Sequence, residues 1–170
     1  AEVRRIATAQ GLSPDPYLVP APDRDPALLA RIDAHERELE SGGGDAAGWH
    51  RLAQARALTG DPAAALRAFS RASALAPEDP EILRDHALAL IGTPAGEELP
   101  EVGDAAAGLL DRVVRLRPGD AEAWWYLGVH ELQSGRPDGA RRAWERAVAA
   151  LPAQDPDRAA LLRRIEALGS

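Results

Sequence analysis

Residues 121–152 read AEAWWYLGVHELQSGRPDGARRAWERAVAALP. The stretch carries a code of small and large residues: Trp124, Leu127, Gly128, Ala140, Trp144, Ala147 and Pro152. The same code stands 75 residues earlier as Trp49, Leu52, Ala53, Ala65, Phe69, Ala72 and Pro77. Seven positions at one constant offset define a repeat, and repeats of this length stack rather than fold alone.

A worn copy lies between them. Its first half aligns Leu83, His86 and Ala87 with Trp, Leu and Gly; its second half aligns Ala106, Leu110, Val113 and Pro118. The closing prolines are 41 residues apart from Pro77 to Pro118 but 34 apart from Pro118 to Pro152. Seven extra residues therefore fall within Gly92–Gly103, a stretch of helix breakers that reads as a loop. A longer turn costs little, because closure entropy grows slowly with length. The insertion is either a tolerated loop or a loop that contacts a partner.

The code resembles the tetratricopeptide repeat, a pair of helices that stacks into a curved solenoid. The expected fold is all-α, with three repeats at about residues 46–79, 80–120 and 121–154. Pro26–Glu40 places Leu28, Leu29, Ile32, His35 and Leu39 at helical spacing, so a helix precedes the first repeat. Asp155–Leu168 carries Leu161, Leu162, Ile165 and Leu168 on one stripe and reads as the polar-backed cap a solenoid end requires. Asp45, Asp79 and Asp120 sit where N-caps belong, and Pro62, Pro80 and Pro156 at first helical positions. Gly60, Gly92 and Gly135 sit where the first helices of the repeats end. Residues 1–25 hold four prolines within Ser13–Pro22 and read as an extended tether to a domain spanning 26–168.

Composition narrows the function. There are 27 carboxylates against 20 Lys and Arg, a net charge of −7, and no basic stripe, so nucleic acid is not an expected partner. The chain has no cysteine, which excludes disulfides and thiolate metal sites. His50, His86 and His130 fall on different helix faces, so no joint metal site is expected. No nucleophile elbow, phosphate loop or zinc motif is present, and neither catalysis nor a cofactor is expected. No apolar run reaches the roughly 18 residues of a membrane span. The chain has no methionine, so the expectation is a piece of a longer protein, with any membrane anchor upstream.

In tetratricopeptide arrays the first helix of each pair lines the concave groove. Repeat positions 5, 9 and 12 share a face. They are His50, Gln54 and Ala57 in repeat one, Arg84, Leu88 and Ile91 in repeat two, and Trp125, Val129 and Leu132 in repeat three. The expected groove is polar at one end, apolar at the other, and suited to an amphipathic helix. Trp125 is the main candidate anchor, since Trp124 already fills the packing position; the alternative is a Trp half-buried against a terminal helix. The Lys and Asn of the carboxylate-clamping tetratricopeptide domains are absent, replaced by His50 with Gln54 and Arg84 with Leu88. Arg51 or Arg84 could receive a single carboxylate.

A narrower resemblance rests on an ordered set of segments. These are Asp45–Trp49 (DAAGW), Asp79–Ala87 (PEILRDH between its ends), the Gly-rich insertion, Ala106–Pro118 (AAGLLDRVVRLRP), Ala123–Gly128 (AWWYLG), Ala143–Arg146 (AWER) and the Leu151-Pro ending. Over residues 26–168 the chain is similar to the C-terminal periplasmic domain of bacterial cytochrome c maturation tetratricopeptide proteins. That resemblance implies an apocytochrome c chaperone that captures the substrate's C-terminal amphipathic helix and presents it to the haem-ligation complex. It implies a periplasmic domain of an inner-membrane protein, anchored by membrane helices upstream. The substrate brings its own haem-attachment cysteines, so the chaperone needs neither cysteine nor haem ligand. The rival reading is a generic scaffold or co-chaperone of another cell-envelope assembly pathway.

Overall fold

The computed structural model describes residues 25–92 and 99–168, which form eight α-helices and no strand. The expected tether, apart from Asp25, and the middle of the insertion lie outside the described residues.

Helix α1 (Pro26–Glu38) begins on the Asp25 carboxylate, which accepts from Ala27 N at 2.9 Å. It runs into a wide turn, Leu39–Gly43, where Gly42 adopts φ 110°. The first repeat is α2 (Ala46–Leu58) and α3 (Pro62–Leu75); the second is α4 (Pro80–Ile91) and α5 (Asp104–Leu116). The third is α6 (Ala121–Gln133) and α7 (Pro137–Ala150), followed by α8 (Pro156–Ala167). Most starts have a local cause, whereas α5 opens from Gly103 without a side-chain cap. Asp45, Asp61, Asp79, Asp120 and Asp155 all accept backbone N–H groups of the helices they open. Such a cap contributes about 1 kcal/mol. Gly60 and Gly135, 75 residues apart, end the turns after α2 and α6 at φ 75° and 71°, a conformation that favours glycine.

Helices pack mainly on their neighbours in the chain. Two clusters of buried side chains result. One holds Ile32 of α1, Leu39, Trp49 and Leu52 of α2, Phe69 and Ala72 of α3, and Ile82 of α4. The other runs from Leu83 and Ala87 of α4 through Leu110 and Val113 of α5, Val129 of α6 and Trp144 of α7 to Leu161 and Ile165 of α8. Helix α4 serves both. Ion pairs from Arg56 of α2 to Asp33 (2.7 Å) and Glu36 fix α1 on the first repeat.

The small-and-large code is a packing rule. Trp144 is 1% exposed, and its indole N–H donates to Trp125 O at 3.1 Å. A Cβ at Gly128 would collide with that indole. In the first repeat Phe69 and Ala53, at the same repeat positions, share one buried cluster; in the third the larger Trp144 lies against Gly128. The repeats also share a feature not read from the sequence. Arg71 stacks 4.9 Å from the Trp49 ring centroid, and Arg146 stacks 6.0 Å from that of Trp124, again 75 residues on.

His86, standing where the other repeats have Leu52 and Leu127, bonds to Ser73 Oγ at 2.9 Å. Burial lowers its pKa from the usual histidine value. His50 faces Asp85 and His130 faces the Val102 carbonyl, so the three histidines have separate partners.

Candidate functional site

The first helices of the three repeats are joined side by side through polar side chains. His50 Nε2 lies 2.8 Å from Asp85 Oδ2 of α4, and Gln54 Nε2 donates to the same oxygen at 3.1 Å. Arg84, the residue before Asp85, reaches Asp120 at 3.5 Å and Asp85 at 4.0 Å. Glu122 on α6 continues the series. Burial raises its carboxyl above the usual range; Arg84 opposes the rise, and Asp120 and Asp85 add to it. His50, Gln54 and Arg84 therefore stand on one face, as the repeat positions predict. Of the carboxylates on this face, Asp85, which meets His50, Gln54 and Arg84, and Glu122 were not singled out from the sequence, whereas Asp120 was read as a cap. Asp85 and Glu122 fall at positions 6 and 2 of their repeats, outside the 5, 9 and 12 pattern.

The apolar half of the face differs from expectation. Glu122, Trp125, Val129 and Gln133 form one stripe along α6, since their spacings of three and four return to one side. Val129, expected on the groove wall, is 0% exposed. The cause is the insertion. Its end, Leu99–Gly103, lies as a strap along the last turns of α6. Gln133 Nε2 donates to Pro100 O at 2.8 Å, and Val102 N donates to Gln133 Oε1 at 3.1 Å. His130 Nδ1 lies 2.9 Å from Val102 O. Val102 is 3% exposed and enters the same cluster as Val129. Val129 is thus a core residue under the strap rather than a contact for a ligand. Ile91 and Leu132 are half-buried and pack on that cluster, and Leu88 is half-buried on α4. Arg51 is exposed.

Trp125 stays open on one side. It is half-buried and meets Tyr126 edge to face, with ring centroids 4.6 Å apart. Both rings line a cavity of about 490 Å³ between α6, the end of α7 and α8. The Trp125 position thus combines the two sequence readings: it belongs to the stripe of the shared face, and it packs toward the terminal helix.

No described helix is long and apolar enough to cross a membrane. The fold is that of known tetratricopeptide proteins. The chain superposes on YrrB, described as a TPR protein with an unusual peptide-binding site, with a TM-score of 0.61 at 19% identity, covering 97% of this chain and 84% of that one. For a MamA crystal structure the TM-score is 0.61 at 17% identity, covering 83% and 86%. The first TPR of Spaghetti bound to an HSP90 peptide gives 0.58 at 18%, covering 74% and 94%. Identities this low show the fold alone. A closer likeness in sequence is to the cytochrome c-type biogenesis protein CycH of Pseudomonas aeruginosa, 29% identical over 141 residues, which are 83% of this chain. The chain spans 33% of that relative's length. Residues 36–158 match the family described as cytochrome c-type biogenesis protein H TPR domain. That match runs from the end of α1 into α8, and the chain belongs to this family of tetratricopeptide domains.

Proposed function

We propose that this domain is the substrate-capturing part of an apocytochrome c chaperone, binding the C-terminal amphipathic helix of the apoprotein on the shared face of α2, α4 and α6 and handing it to the haem-ligation complex. The observation that carries the reading is the family match across residues 36–158. The face supports it. It offers a polar row, from His50 and Gln54 through Arg84 to Glu122, beside the half-buried apolar side chains Leu88, Ile91, Trp125 and Leu132. An amphipathic helix needs such a pairing of apolar seat and polar rim. Affinity comes from a few anchors, with Trp125 first among them, rather than from total area. The role is binding without catalysis or a bound cofactor. The domain would work in the periplasm, held to the inner membrane by a segment outside this chain.

Titration of the domain with a synthetic C-terminal helix of a c-type apocytochrome tests this by calorimetry and Trp fluorescence. Saturable binding that weakens at least tenfold, about 1.4 kcal/mol, in Trp125→Ala is expected. Absence of binding at high micromolar peptide would instead favour a scaffold of another envelope pathway. Binding unchanged by the substitution would keep the substrate and reject this face.

A further inference from the structure

The cavity between α6 and α8 has a chemistry of its own. Trp125, Tyr126 and Leu161 supply its apolar walls, and Glu122, Asp157 and Arg164 its charged groups. Its volume, about 490 Å³, lies within the range of sites that enclose a ligand group, about 300–1,000 Å³. The Glu122 carboxylate makes no hydrogen bond or ion pair among the described residues. Its nearest cationic influence, Arg84, is divided between Asp120 and Asp85. Asp157 uses its backbone N–H on the Asp155 cap, and its carboxylate forms no ion pair among the described residues. Arg164 pairs with neither carboxylate. Two carboxylates, both on exposed residues in the first turns of α6 and α8, against one guanidinium leave the cavity with a net negative charge, beside aromatic rings whose faces attract cations. Desolvation raises the Glu122 carboxyl above the usual range, so a cation brought to it would offset that cost.

We propose that this cavity is a subsite for one basic side chain of the bound peptide, a Lys or Arg whose aliphatic stem lies along Trp125 and Leu161 and whose charged head meets Glu122. A long basic side chain satisfies both halves of the site, since its methylenes bury on apolar surface while its head keeps a polar partner. A purely apolar side chain would leave Glu122 further desolvated without compensation, and an acidic one would add to the excess. The inference rests on the peptide-binding reading above and specifies one residue type that the peptide must carry.

The test uses two helical peptides at one fixed ionic strength: the cytochrome helix, and a designed amphipathic helix of unrelated sequence. Each is made with its lysines intact and with all of them replaced by glutamine. Calorimetry reads binding to the unaltered chain, Glu122→Gln, Arg164→Gln and Trp125→Leu, each first shown to be folded by circular dichroism. Glu122→Gln is expected to weaken the lysine forms at least tenfold and to leave the glutamine forms within about twofold. Trp125→Leu is expected to weaken the lysine forms, and Arg164→Gln to leave them unchanged or tighter. Equal losses for lysine and glutamine forms in Glu122→Gln overturn the subsite. So does a loss confined to Arg164→Gln, which would mark a seat for a carboxylate. A cytochrome helix that binds without dependence on Glu122 removes the subsite and keeps the proposed function. A designed basic helix that binds through Glu122 while the cytochrome helix fails does the reverse. No binding of either peptide overturns both.

Discussion

One methyl group distinguishes Gly128 from Ala53, the residue at the same place in the first repeat, and Trp144 explains the difference. The indole fills the space a Cβ would need and is itself 1% exposed, so it has little room to withdraw. Gly128→Ala should destabilise the chain by about 1–3 kcal/mol through overpacking, despite a helix-propensity gain of about 0.5–1 kcal/mol. Adding Trp144→Phe, which recreates the pairing of the first repeat, should make the double variant more stable than the two single losses sum to. Urea denaturation of the four chains reads this coupling, and strict additivity would refute it. The code itself was legible in the sequence because it is set by spacing along single helices. His86 was legible for the same reason, as a polar residue at a leucine position. Its consequence is a pH dependence. Burial lowers the folded-state pKa, so below the unfolded value of about 6.5 the unfolded chain binds more protons than the folded one. Stability therefore falls as pH drops through that window and levels off once the folded-state histidine also protonates. In His86→Leu this contribution should vanish. Melting temperatures of both chains from neutral to mildly acidic pH would show it, and parallel slopes would count against it.

At the scale of elements, most helix boundaries follow from a neighbouring residue, whereas the strap does not. Asp caps, first-turn prolines and closing glycines act within a few residues of one another, so the order α1 to α8 could be read from the chain. Leu99–Gly103 is held by the Gln133 carboxamide, 33 residues beyond Pro100, which offers a donor and an acceptor matched to an extended backbone, and by His130 and the buried Val102. Spacing cannot report a contact between a loop and a remote side chain. For this reason the sequence reading put Val129 on an open wall and left the insertion's role undecided. The carboxylate of Asp85 escaped notice for a related cause: it becomes part of the face only by meeting His50 and Gln54 of another helix. Gln133→Ala removes the two strap hydrogen bonds of Gln133 while leaving the His130 contact to Val102 O and the apolar contact of Val102. The expected effects are a stability loss of about 1–3 kcal/mol and faster hydrogen exchange at Val102 N–H than at the amides of α2. Unchanged protection at Val102 would mean that packing and the His130 contact hold the strap without Gln133.

The whole molecule is a row of helices with two cores that meet at α4. Ile82 points into the core shared with α1, α2 and α3, whereas Leu83 and Ala87 belong to the one that extends to α8. A row in which helices pack mainly on chain neighbours transmits stability from one pair to the next instead of through a common centre. Helix α8 closes the far end, with Leu161 5% and Ile165 8% exposed. It is also the outer wall of the Trp125 cavity, so the same helix completes the core and the candidate subsite. Each of those side chains contributes about 1.5–3 kcal/mol by burial, and together that is a large part of the roughly 5–15 kcal/mol that holds a domain folded. A chain ending at Gln154 should therefore lose several kcal/mol, and the loss should be unevenly distributed. Amide exchange should accelerate in α6 and α7, which lose their cover, while α2 and α3 keep their protection because their core holds no residue of α8. The truncated chain should also lose the Glu122-dependent part of its peptide affinity, since Leu161 is gone from the cavity wall. Uniform loss of protection from α1 to α7 would show instead that the two cores open as one cooperative unit, with α4 coupling them too tightly for either to stand without the other.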